Sequence, residues 1–185
     1  MSSPAVALLG AGRMGAAFVD RWSAAGRRVV VWNRTPQAAT SLERAGVHAT
    51  DSLAEAVRSA DVVVTMLTHG EALTSVLLEQ GALDAMKSGV KLINCARGGI
   101  YDEEALAEGL SSGKIGGVAL DVYEQEPCTD SPLFRLPGVL CTPHLGASTE
   151  EAQTQVAVEA VHLLLNYLKT GEIRHAVNVA AVDPK

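Results

Sequence analysis

Gly10-x-Gly12-x-x-Gly15 follows the apolar run Val6-Ala7-Leu8-Leu9 and leads at once into an amphipathic segment. This spacing suits backbone recognition of a dinucleotide pyrophosphate. Gly10 allows a tight turn out of a strand, Gly12 lets the backbone approach phosphate, and Gly15 lets the next helix pack against the strand. The helix start, with Ala11, Arg13 and Met14, presents N–H groups and a positive dipole end to the anion. The competing reading is a glycine-rich turn that binds nothing. About twenty residues on, at the end of the next apolar run, stand Asn33-Arg34-Thr35. A carboxylate there would bond an adenine ribose and select NAD. Neutral Asn33 followed by the guanidinium of Arg34 favours the 2′-phosphate of NADP. A plain exposed loop arginine is the alternative.

The elements that must hold these residues read as alternating strands and helices. Strands are expected over 5–9, 28–32, 47–49, 61–67, 90–95, 115–122 and 139–142. Helices are expected over 13–25, with Met14, Ala17, Phe18 and Trp22 on one side, and from Pro36 to about Ala45 behind a Thr35 cap. Further helices are expected after Ser52, over 71–86, after Asp102, and from a capping box at Ser148 to about Lys169. The fold class is therefore α/β: a doubly wound, three-layer parallel sheet in the order 3-2-1-4-5-6 with a short seventh strand. A bound dinucleotide would lie across the carboxyl ends of the strands.

The 185 residues suffice for one sizeable domain, and 48% apolar content supplies its core. A net charge of −6 argues against a nucleic-acid or membrane-surface partner. Three spaced cysteines, Cys95, Cys128 and Cys141, fit reduced thiols in a cytoplasmic setting and suggest no metal site. The start lacks a signal-peptide pattern, and no apolar run reaches membrane-spanning length.

Leu9 to Gly15, Val31 to Thr35 and Asp61 to Leu67 resemble the β-hydroxyacid dehydrogenase family over roughly residues 1–80. The resemblance implies NADP use and cofactor contacts near Leu67 and Thr68. Further on, Ile93-Asn94-Cys95-Ala96-Arg97-Gly98-Gly99, Ala119 to Pro127 and Thr142 to Thr149 resemble the D-2-hydroxyacid dehydrogenases, closely the D-3-phosphoglycerate dehydrogenases. In that resemblance Arg97 binds the carboxylate of a 2-oxo acid, and His144 protonates the carbonyl oxygen as hydride arrives. Glu126 hydrogen-bonds the histidine and favours its charged form. Asp121 meets the nicotinamide carboxamide, Gly146 its face, and Cys95 and Ala96 border the cofactor. Such roles suit these residue types, since ketone reduction needs a proton donor active near neutrality and an anchor for the substrate carboxylate. The bland alternatives are a capping or surface arginine, a satisfied loop histidine and a surface acid.

The two resemblances suggest one dinucleotide-binding domain over 1–185 assembled from unlike halves, 1–80 and 85–147, with a long helix over 148–170 and a tail over 171–185. The expectation is an engineered or recombined chimera that binds NADP or NAD, lacks a substrate domain and turns over little. The alternatives are an active reductase of small 2-oxo acids and a scaffold that binds no cofactor. The apolar face of the long helix suggests a homo-oligomer, or a helix folded back onto the sheet.

Overall fold

The computed structural model describes residues 4–67 and 82–176. Strands β1 (Val6–Leu9), β2 (Val29–Trp32), β3 (Val47–Thr50), β4 (Val62–Thr65), β5 (Val90–Asn94), β6 (Ile115–Leu120) and β7 (Val139–Cys141) form one parallel sheet. Their order is β3-β2-β1-β4-β5-β6-β7, as the alternating pattern predicts. Between them run α1 (Arg13–Ala24), α2 (Pro36–Thr40), α3 (Leu53–Arg58), α4 (Ala82–Ala85), α5 (Glu103–Ser111) and a short 3₁₀ turn at Pro132–Arg135. The chain divides into a sheet-bearing unit ending at His144 and a second unit from Leu145 onward, which contains α6 (Glu150–Thr170).

The inner strands β1, β2 and β4 are buried because successive side chains point to opposite faces and both faces are covered, whereas Leu140 of the edge strand β7 is 65% exposed. Val6, Leu8, Val29, Val31 and Val64 form one cluster with Val19 of α1. Ala7, Leu9, Val63, Leu92 and Val118 enter the other, with Val57 of α3 and Leu106 of α5. Register then fixes where the strands stop. Trp32, Leu9, Thr65, Asn94, Leu120 and Cys141 pair in sequence across the sheet. The next residue along each strand is Asn33, Gly10, Met66, Cys95, Asp121 or Thr142, so these six leave the sheet along one edge.

Four details differ from the sequence reading. The buried residues of α1 are Gly15 and Val19, while Met14 is 57% exposed and Ala17 is exposed, so only part of the Met14-Ala17-Phe18-Trp22 stripe faces the sheet. Trp22 of that stripe does pack, half-buried, against the Val19 cluster, and Phe18 stacks on it at 5.2 Å between ring centroids. Helix α2 ends at Thr40, because the chain turns early: Arg44 and Val47 exchange backbone hydrogen bonds and Arg44 pairs with Asp20. Thr35 occupies the cap position without a side-chain cap hydrogen bond. The cap of α6 is Thr149, whose Oγ1 accepts from the Ala152 amide at 3.1 Å, rather than Ser148. The expected helix over 71–86 falls outside the described residues except for α4.

In the second unit α6 is a single helix of 21 residues with no buried residue, closed by Gly171 at φ +74°. No described helix is long and apolar enough to cross a membrane.

Candidate functional site

The glycine corner is set by three different constraints. Gly10 sits at φ +118°, and a Cβ there would lie 2.2 Å from the Met66 carbonyl oxygen. A Cβ on Gly15 would lie 2.0 Å from the Gly10 carbonyl oxygen, so the helix rests directly on the turn. At Gly12 a Cβ would meet no protein atom within 4 Å. The first two glycines are therefore required by the fold. The third keeps a space clear in front of the α1 N-terminus.

That N-terminus suits an anion. Gly12 is the cap residue, no side chain caps the helix, and its first turn carries no acid. The N–H groups of a helix's first turn, which have no intrahelical acceptor, and the dipole favour negative charge there. The residues present thus fit a dinucleotide pyrophosphate.

Asn33 braces this corner. Its Oδ1 accepts from the Ala11 amide at 3.0 Å, and its Nδ2 donates to the Thr35 carbonyl at 3.0 Å. Arg34 is exposed beside it and, among the described residues, makes no hydrogen bond or ion pair. Leu67 is buried and packs toward Gly10. Thr68 lies outside the described residues.

At the carboxyl end of β5, buried Asn94 shapes the loop that carries Cys95, Ala96 and Arg97. Its Oδ1 accepts from the Ala96 amide at 3.1 Å and its Nδ2 donates to the Arg97 carbonyl at 2.9 Å. Arg97 is exposed, with Nη1 donating to the Ala96 carbonyl at 2.6 Å. Burial, and secondarily the Asp121 carboxylate, push the Cys95 thiol up. The same loop is locked on two sides. A Cβ on Gly98 would lie 1.7 Å from the Tyr123 carbonyl oxygen, so only glycine fits. Buried Tyr101 shares a 2.7 Å hydrogen bond with Thr65, and burial raises its phenol to about 12.

The ends of β6 and β7 are tied together. Thr142 Oγ1 donates to Asp121 Oδ1 at 2.5 Å, and the Tyr123 hydroxyl donates to the Thr142 carbonyl at 2.9 Å. The Tyr123 amide donates to Glu126 Oε1 at 3.1 Å. Glu126 Oε2 stands 2.7 Å from His144 Nδ1. The contact with His144, then the Tyr123 amide, holds the Glu126 carboxyl below the usual range. Nδ1 thus takes the donor role toward the carboxylate. A cavity of about 520 Å³ borders this pair, with Tyr123, Cys128, Phe134 and Cys141 in its walls.

The structure therefore brings together Glu126 with His144, Asn33 with the glycine corner, and Cys95 with Asp121. Gly146 belongs to the second unit. Asn94, Tyr101, Tyr123 and Thr142 carry roles that the motifs did not assign. Asn94 had a local signal, because an asparagine ending a strand commonly bonds the backbone two residues on. Among the described residues no group of three or more His, Cys, Asp or Glu is placed to hold a metal ion.

The family model for the NAD-binding domain of the D-isomer specific 2-hydroxyacid dehydrogenases matches residues 1–146. The chain belongs to that family. D-3-phosphoglycerate dehydrogenase of Bacillus subtilis is 40% identical over 177 residues, 95% of this chain and 33% of the relative. Its counterpart in Archaeoglobus fulgidus is 36% identical over 181 residues, 96% of this chain and 33% of the relative. Among solved structures, a glyoxylate reductase from Paecilomyes thermophila superposes with a TM-score of 0.81 at 31% identity, covering 96% of this chain and 53% of that one. A D-isomer specific 2-hydroxyacid dehydrogenase from Xanthobacter autotrophicus in complex with NADPH gives 0.76 at 32%, covering 91% and 68%. The chain thus spans about a third of the length of the curated relatives it matches. One family model runs across the expected seam, around 78–90, and nothing in these matches calls for a second parentage of residues 1–80 or for a chimera.

Proposed function

We propose that this chain holds NADP, or NAD more weakly, and presents the polar groups that reduce a small 2-oxo acid to its 2-hydroxy acid. The observation that carries this reading is the 2.7 Å Glu126–His144 pair, standing at the same sheet edge as a glycine corner fitted for pyrophosphate. Gly10, Gly12 and Gly15, with the amides at Arg13 and Met14, would receive the pyrophosphate. Arg34, exposed next to the end of β2, is placed for a 2′-phosphate. Leu67, Cys95, Ala96 and Asp121, at the same strand ends, would border the rest of the cofactor. When bound, the reduced nicotinamide supplies hydride. Glu126 orients the His144 ring through Nδ1, and His144 gives a proton from Nε2 to the carbonyl oxygen. Arg97, released from the Ala96 carbonyl, pairs with the substrate carboxylate.

NADPH and NADH are titrated side by side in a thermal-shift experiment, followed by NADPH oxidation with glyoxylate or hydroxypyruvate. The expected result is stronger stabilisation by NADPH, and an oxidation rate lost in His144→Ala with stabilisation retained. Stabilisation by neither nucleotide overturns the reading and leaves a scaffold without cofactor. Equal stabilisation by both removes Arg34 as the selector.

A further inference from the structure

All three polar groups of Thr142 point at one neighbouring segment. Its amide donates to the Leu120 carbonyl at 2.9 Å, its carbonyl accepts from the Tyr123 hydroxyl at 2.9 Å, and its Oγ1 donates to Asp121 Oδ1 at 2.5 Å. The first continues the β6–β7 ladder. The other two are side-chain bonds beyond it, made where the strands have ended. The partners are not equivalent. Leu120 and Tyr123 offer neutral groups, whereas Asp121 is a carboxylate only 7% exposed. A hydroxyl donated to a carboxylate is short and strong, and it fixes the rotation of the acceptor. Two residues beyond Thr142 the chain reaches His144, whose partner Glu126 leaves the segment that begins at Asp121. Thr142 therefore joins the strand end carrying the imidazole to the strand end carrying the acid at the sheet edge.

We propose that Thr142 is a positioning residue that couples the cofactor site to the proton donor. By holding Oδ1 of Asp121 it sets the direction in which that carboxylate meets the nicotinamide end. By anchoring β7 to the same group it sets where His144 stands relative to that end. The proposal rests on the functional reading above for its cofactor arm, and its apo arm stands without it.

The test uses the full chain with Thr142→Val, Thr142→Ser and Asp121→Asn, and the Val–Asn double variant. NADPH affinity is expected to fall about tenfold in Thr142→Val, the size of one lost hydrogen bond to a charged group, and to return in Thr142→Ser. In the Asp121→Asn background, Thr142→Val adds no further loss, because the bond it removes is already weakened. In the apo chain the His144 ring-proton resonance moves in Thr142→Val and returns in Thr142→Ser. A lowered melting temperature with unchanged affinity, or a His144 resonance that does not move, overturns the proposal and leaves Thr142 a strand-end staple. A wild-type chain that binds neither NADPH nor NADH sinks the functional reading instead, and the His144 signature then decides the positioning role alone.

Discussion

Gly10 and Gly12 look alike in the motif and do opposite things in the molecule. Alanine at Gly10 would add a Cβ 2.2 Å from a backbone oxygen at φ +118°. Its cost is on the order of 3 kcal/mol or more, as for other strained backbone positions with a steric clash. Alanine at Gly12 meets nothing and leaves stability within about 0.5 kcal/mol, the ordinary surface range. On the proposed function, the same substitution fills the space in front of the α1 N-terminus and is expected to remove the NADPH-induced thermal shift. Chemical denaturation and nucleotide titration of the two variants check both halves of this contrast. Glu126 gives a second test. Its carboxyl is held low, mainly by His144, so it contributes stability above the ordinary glutamate range of about 4.3 and loses it as pH falls through the lower folded value. The melting temperature of Glu126→Gln should therefore lie below wild type at pH 7, with the gap closing in acid. A gap that stays constant down to pH 3 would mean that the pair does not stabilise the fold.

Among the elements, the sheet was legible because buried parallel strands announce themselves as β-branched runs, and Val29-Val30-Val31 and Val62-Val63-Val64 do so plainly. The site was legible where a residue acts through its own chemical type, as His144 and Glu126 do. It was illegible where a role comes from what another strand brings alongside. Thr142 meets Asp121 across 21 positions and Tyr101 meets Thr65 across 36, which no local pattern encodes. The facing of α1 was partly misread, for a related reason. Met14 and Phe18 are the larger apolar residues, but the close approach of the helix to Gly10 admits only Gly15 on that side. The two apparent parentages arose from the same limit: a glycine corner followed by Asn-Arg-Thr informs about the dinucleotide, and different dehydrogenase families share that demand. Helix α6 belongs to this scale too. Val158, Val161, Leu165 and Leu168 recur at spacings of three, four and three, and each is at least 44% exposed. Such a seam suits a second copy of the helix. Sedimentation velocity should show dimers that dissociate in the Leu165→Glu, Leu168→Glu variant. A wild-type monomer at high micromolar concentration would contradict this.

At the scale of the whole molecule, parallel register converts six separate strand ends into one working edge. Every residue assigned to phosphate, ribose, nicotinamide or proton transfer in the sheet-bearing unit lies on or just beyond the row from Trp32 to Cys141. The net charge of −6 leaves that edge dependent on backbone amides, a helix end and individual arginines for attracting an anion.

The thiol of Cys95 carries one more implication, concerning how the protein survives in air. Its sulfur is reactive only as thiolate, and its surroundings hold the proton on. Peroxide and alkylating reagents should therefore attack it more slowly than free cysteine at neutral pH, and faster once Asp121 becomes asparagine. Most of that protection comes from burial, and the Asp121 carboxylate adds the rest.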